Sequence, residues 1–203
     1  MDVSLESLLS IALGIGLAAA AGFRIFVPLL AAGIAARTGF LPLTDGFQWL
    51  GSTPALLMLG TAAVFEVLAY YIPGVDNLLD TLATPAALVA GTIISAAVIT
   101  DLPPMVKWAT AIIAGGGVAG LMQSMTAILR AKSTVVTGGI GNPVIATTEL
   151  GSSLIVSLLA LAAPFVALLL VVLFLWLALR FLLPALLAVG AFAVWGANDG
   201  LAD

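Results

Sequence analysis

Apolar stretches of about 20 residues follow one another along almost the whole chain, and charged side chains hardly interrupt them. A helix needs about 20 mostly apolar residues to cross the roughly 30 Å hydrocarbon layer of a bilayer. The chain is 63% hydrophobic and 8% charged, against about 25% charged in a soluble domain. Its 203 residues leave room for about six spanning helices and little else. We therefore expect an all-α, polytopic membrane protein, with residues 1–203 forming a single integral membrane domain. The acidic start, MDVSLES, lacks the positive charge of a secretory signal peptide, so the first apolar run is expected to be retained as a span.

Composition also removes whole classes of chemistry. There is no Cys and no His, so thiolate chemistry, His-ligated zinc and His-ligated haem are excluded. Proton handling falls to carboxylates, and any metal, whose identity the sequence leaves unknown, would be a hard cation held by oxygen. No cofactor is expected. The net charge of −4 offers no basic patch to meet phosphate, which argues against nucleic acid as a partner.

The spans are expected at about residues 7–36, broken near Gly22 to Pro28, then at about 54–72, 82–100, 105–129 and 143–163, with a sixth from Pro164. Phe47 and Trp49, in the first loop, suit the membrane interface. Residues 165–196 are apolar except for Arg180 and too long for one untilted crossing. Pro184 favours a break, so residues 186–203 are expected to form an interfacial tail, a short seventh segment being the alternative. With three spans in each half, residues 1–101 and 102–185 would be inverted repeats, a plan common in secondary transporters. The Lys/Arg bias sets Arg130, Lys132 and Arg180 against Arg37 and Lys107, which favours cytoplasmic termini.

Single charges inside apolar runs are the candidate site. A charge in the hydrocarbon layer costs roughly 2.5–3.5 kcal/mol on the lenient insertion scale, so its default reading is functional. Arg24 sits in GIGLAAAAGFRIFVPLLAAGIAA and Glu66 in PALLMLGTAAVFEVLAYYIP. Arg24 would contact an anionic group or serve as counter-ion to Glu66, and Glu66 would carry a proton or form that ion pair. Gln123 would reach across to Glu66 or Glu149. Asn142 and Pro143 suit a helix start after the Gly138-Gly139 pair, with Glu149 pointing into the same cavity. Asp76 and Asp80, one turn apart with Asn77 between them, would either hold a hard cation or cap a helix. GGGVAG, residues 115–120, reads as close helix packing.

The strings FEVLAYYIPGVDNLLDTLATPAALVAG, TGGIGNPVIATTELGSSLIVSLLALAAP and GFRIFVPLLAAGIAARTG resemble a bacterial multi-pass membrane family known as domain of unknown function family 4126. The resemblance covers about residues 10–175. The family's motif positions fall on Arg24, Glu66, Pro73, Asp76, Asp80, Asn142, Pro143 and Glu149. The chain departs from that pattern at Tyr70-Tyr71, where the family tends to have Asp-Lys, and at Leu150, where it tends to have Asp. It also lacks the family's basic tail. The resemblance implies a bacterial inner-membrane protein and no established substrate.

These readings point first to a small ion- or proton-coupled transporter or channel, with Arg24, Glu66, Gln123, Asn142 and Glu149 near the bilayer midplane. The alternatives are a structural or assembly protein whose buried charges fix helix register, and a metal-dependent lipid enzyme built on Glu66, Asp76 and Asp80. The expected partners are the lipid bilayer, a small solute or ion, and a second copy of the chain.

Overall fold

Pro28 divides the first apolar run. A proline ring clashes with the carbonyl four residues back and has no N–H to bond it, so a helix through Pro28 must open at Arg24. In the computed structural model, α1 (Leu5–Ala21) ends at Gly22 and α2 (Phe26–Arg37) starts after a four-residue break. The structure describes residues 4–72, 74–100 and 102–182, without the side chains of residues 77, 181 and 182. The expected roles of Pro73 and the Asn77 side chain, and the interfacial tail at 186–203, lie outside the described residues.

Downstream, a short 3-10 turn (Gln48–Gly51) leads to α3 (Thr53–Ala69), α4 (Val75–Val98), α5 (Pro104–Thr137), α6 (Asn142–Ala162) and α7 (Pro164–Leu177). All the regular structure among the described residues is helical. The caps follow local chemistry. Ser4 Oγ accepts the Ser7 N–H and Ser52 Oγ accepts the Ala55 N–H, each satisfying a free donor of a first turn. Two compact units are present, the first ending at Leu168 and the second beginning at Leu169. The second unit carries most of α7, which continues as a π-helical stretch, Ala178–Leu182.

Helix α5 is longer than its sequence suggests. The fourth span was expected to close near residue 129, but the helix runs 34 residues to Thr137, about 50 Å at 1.5 Å per residue. Nothing in the segment Arg130–Thr137 breaks a helix, and the stop comes only at Gly138 and Gly139, whose φ values are +64° and +89°. A π-helical stretch, Ala111–Gly116, interrupts α5 near its start.

Within the first unit, α1 packs on α4 and α6, and α4 packs along α5. The core is largely alanine, including Ala18, Ala32, Ala87, Ala97, Ala119 and Ala160. Small residues let backbones approach closely where lipid removes the hydrophobic drive between helices. The GGGVAG segment does this against α4: a Cβ on Gly91 would lie 2.8 Å from Gly115 O. Hydroxyls add polar bonds across helices, Ser95 Oγ donating to Gly14 O and Ser153 Oγ to Ala20 O, both at 3.0 Å.

The distribution of polarity is inverted relative to a soluble protein. Met58, Phe65 and Ile113 are 72%, 67% and 75% exposed, whereas Arg24 and Arg130 are each 1% exposed. Large apolar side chains on the outside and charges inside suit a hydrocarbon solvent. Three helices, Leu78–Val98, Pro104–Thr137 and Asn142–Ala162, are each long and apolar enough to cross a membrane.

Candidate functional site

The break between α1 and α2 leaves backbone donors without helical partners, and a carboxylate from α3 takes them. Glu66 Oε1 accepts the Ile25 N–H at 2.8 Å and Oε2 accepts the Phe26 N–H at 3.2 Å. A carboxylate at a helix N-terminus satisfies free N–H groups and meets the positive end of the helix dipole. Glu66 therefore caps α2. The expected direct pair between Arg24 and Glu66 is not the one that forms.

Arg24 turns instead to α6. Its Nη2 lies 3.1 Å from Glu149 Oε2 and donates to Ala146 O at 2.9 Å. Arg130, from α5, bonds the same Glu149 oxygen through Nη2 and Asp80 Oδ1 through Nη1. Both guanidinium carbons lie over the Tyr70 ring, at 4.0 Å and 4.3 Å from its centre, a cation–π arrangement. The Tyr70 hydroxyl donates to Asp80 Oδ1 at 3.3 Å, and Gln123 Nε2 reaches the same oxygen at 3.5 Å. Tyr70 closes α3, so the chain's turn into α4 places the ring and Asp80 side by side.

A second arm of the network joins α4 to the start of α6. Asp76 Oδ1 accepts the Gly74 N–H at 2.9 Å, and Asp76 Oδ2 accepts from Asn142 Nδ2. Asn142 Nδ2 also donates to Thr134 Oγ1 at 2.8 Å. Asn142 was expected to cap α6 with its side chain. It stands instead inside the helix, just after Gly141, and its amide faces Asp76. Asp76 and Asp80 are accordingly parts of a buried network rather than of a solvated turn.

A family model described as Domain of unknown function (DUF4126) matches residues 11–183. The chain belongs to this family. No curated protein and no solved structure matches it. In this DUF4126 chain, Arg24, Asp76, Asp80, Gln123, Asn142 and Glu149 join one hydrogen-bonded region, and Glu66 lies at its edge, beside Arg24. Tyr70 is the ring beneath both guanidiniums.

Glu66, Asp76 and Asp80 hold different partners rather than facing one point, and the described residues contain no group of three or more acidic side chains placed to hold a metal. Arg130 was read from the sequence only as a charge near a helix end. The structure buries it at the centre of the network, which removes it from the surface charges used to orient the chain. A signal for it existed. Gln123, Thr126, Arg130 and Thr134 recur at three- and four-residue spacing, the period of one helix face.

Several buried polar atoms of this region have no partner among the described residues: Arg24 Nε and Nη1, Arg130 Nε, Asn142 Oδ1 and Glu149 Oε1. Buried polar groups are hydrogen-bonded in the great majority of cases, to protein or to water. Donors from the α1–α2 break and from α5, and acceptors from α6, therefore stay open inside the bundle.

Proposed function

We propose that this DUF4126 protein is a small ion- or proton-coupled transporter or channel of the bacterial inner membrane, one integral domain of about six crossings. Its site is the buried network around Glu149. One observation carries this reading. Glu149 Oε2 holds guanidiniums from opposite halves of the chain, while its Oε1 is buried without a partner among the described residues. Replacing a buried ion pair by apolar side chains of similar volume is often neutral or stabilising. Four carboxylates and two guanidiniums kept among lipid-crossing helices therefore suggest more than stability. The open acceptor on Glu149 is where a proton or small cation would sit. The helix break at Arg24 and the glycine turn before Asn142 place helix ends beside the network, as discontinuous helices do in transporters. A 3+3 inverted repeat would explain why each half supplies one guanidinium.

The second reading, a structural or assembly protein, is favoured by the cap that Glu66 makes on α2, which needs no solute. One measurement separates the two. Purified protein in liposomes should pass protons, read by an entrapped pH dye under a valinomycin potential, or else Na⁺ or K⁺, read by tracer uptake without any ionophore. Glu149→Gln should lower that flux at least tenfold. Flux of all three cations equal to that of empty liposomes would leave the structural reading.

A further inference from the structure

Helix α3 packs along α2 and leaves its other side open toward α4. The cleft between them has a volume of about 410 Å³, and Phe26, Phe65, Leu79 and Leu82 are among its walls. Phe65 and Leu82 are also exposed on the outer surface, so the cleft opens onto the face that meets lipid. Its volume and apolar lining are those of a small-molecule site, which usually adds a few placed polar groups.

Among the described residues, two polar ones line it, Glu66 and Tyr70. The Tyr70 hydroxyl is engaged by Asp80 and its ring lies beneath two guanidiniums. Glu66 is different. It is half-buried and, among the described residues, the one charged residue of the lining, its two oxygens turned to the α2 amides just behind an almost wholly apolar wall. Each of its oxygens accepts one backbone N–H, about half of the roughly four acceptor positions a carboxylate has.

Charge decides the occupant. An acyl chain would fill the walls and leave the charge behind them without a counter-charge. An anion would be repelled by it and by the surplus of carboxylates behind it, where Asp76, Asp80 and Glu149 outnumber Arg24 and Arg130. A cation with a bulky apolar body suits both the walls and the charge, and the walls include two aromatic residues, Phe26 and Phe65, a residue type that attracts cations. We propose that the cleft between α3 and α4 is a binding site for a lipophilic cation, entered from the bilayer, with Glu66 as its counter-charge. The site does not depend on ion flux through the Glu149 network.

The test uses two ions of matched size and opposite charge, tetraphenylphosphonium and tetraphenylborate, titrated against the full chain in lipid nanodiscs. The phosphonium should bind saturably, and the borate should not. Ala86 lines the cleft and is exposed, so Ala86→Phe should fill the space without touching the core and weaken phosphonium binding at least tenfold. Glu66→Gln should weaken it by a similar factor. Absence of saturable phosphonium binding, equal binding of both ions, or affinity unchanged by Ala86→Phe would overturn the site. Because binding is read without a gradient, its loss is distinguishable from a failure of cation flux in liposomes.

Discussion

Arg24 and Arg130, from opposite halves of the chain, meet on a single oxygen of Glu149 and above a single aromatic ring. Two like charges this close and this deeply buried persist only because other groups compensate them: Glu149 between them, Asp80 on Arg130, and the negative face of Tyr70 beneath both. Every compensating group comes from a different place in the chain, α6, α4 and the end of α3. The network therefore ties together helices that are distant in sequence.

Removing one guanidinium should expose that dependence. Arg130→Met leaves Asp80 and Glu149 without their shared partner, and breaking a buried pair costs about 3–5 kcal/mol. In denaturant titrations of detergent-solubilised protein, Arg130→Met combined with Glu149→Gln should cost at least ~1 kcal/mol less than the two single losses added, as coupled neighbours do. Additivity within ~0.5 kcal/mol would mean that the two side chains do not interact.

Glu66 should act locally. Loss of an N-terminal cap costs about 0.5–2 kcal/mol, and here the freed donors are the amides of Ile25 and Phe26. Glu66→Ala should therefore raise hydrogen exchange at those two amides and through the first turn of α2, while α6 around Glu149 keeps its protection. Faster exchange in α6 instead would place Glu66 in the Arg24 pair expected from the sequence.

Much of this is legible in the amino-acid sequence. The break near Pro28 follows from one missing N–H, and the glycine packing at 115–120 follows from side-chain size. Arg24, Glu66 and Glu149 stood out as charges inside apolar runs. What could not be read was pairing. Arg24 Nη2 lies 2.9 Å from a carbonyl of α6 and Glu66 Oε1 lies 2.8 Å from the Ile25 amide, and choosing between such partners requires the angle at which α3 and α6 meet the break. Arg130 was missed because its neighbour Lys132 and the polar segment after it look like a loop. Helix propensity through STVVT is weak but unbroken, and burial of Arg130 decides the matter.

Glycine packing supplies a matched pair of substitutions. A Cβ at Gly115 would lie 2.6 Å from Ser95 Cβ and 2.8 Å from Gly91 O, whereas a Cβ at Gly117 meets nothing within 4 Å. Gly117→Ala should be neutral or stabilise α5 by up to about 1 kcal/mol, the helix-propensity difference between the two residues. Gly115→Ala should force α4 and α5 apart and lower the thermal midpoint in detergent. Equal midpoints for the two variants would show that these helices do not approach as closely as the geometry states.

Tyr70 separates the contribution of a ring from that of a hydroxyl. Tyr70→Phe keeps the face beneath Arg24 and Arg130 but deletes the donor to Asp80. A typical hydrogen bond contributes about 0.5–1.5 kcal/mol, and Asp80 still holds Arg130, so the loss should fall in the lower part of that range. Tyr70→Leu removes the ring as well, and with it two cation–π contacts of about 0.5–2 kcal/mol each. Leu should therefore destabilise the protein by at least ~1 kcal/mol more than Phe. If unfolding titrations find Phe as damaging as Leu, the hydroxyl bond to Asp80 carries the network and the guanidiniums rest on Glu149 alone.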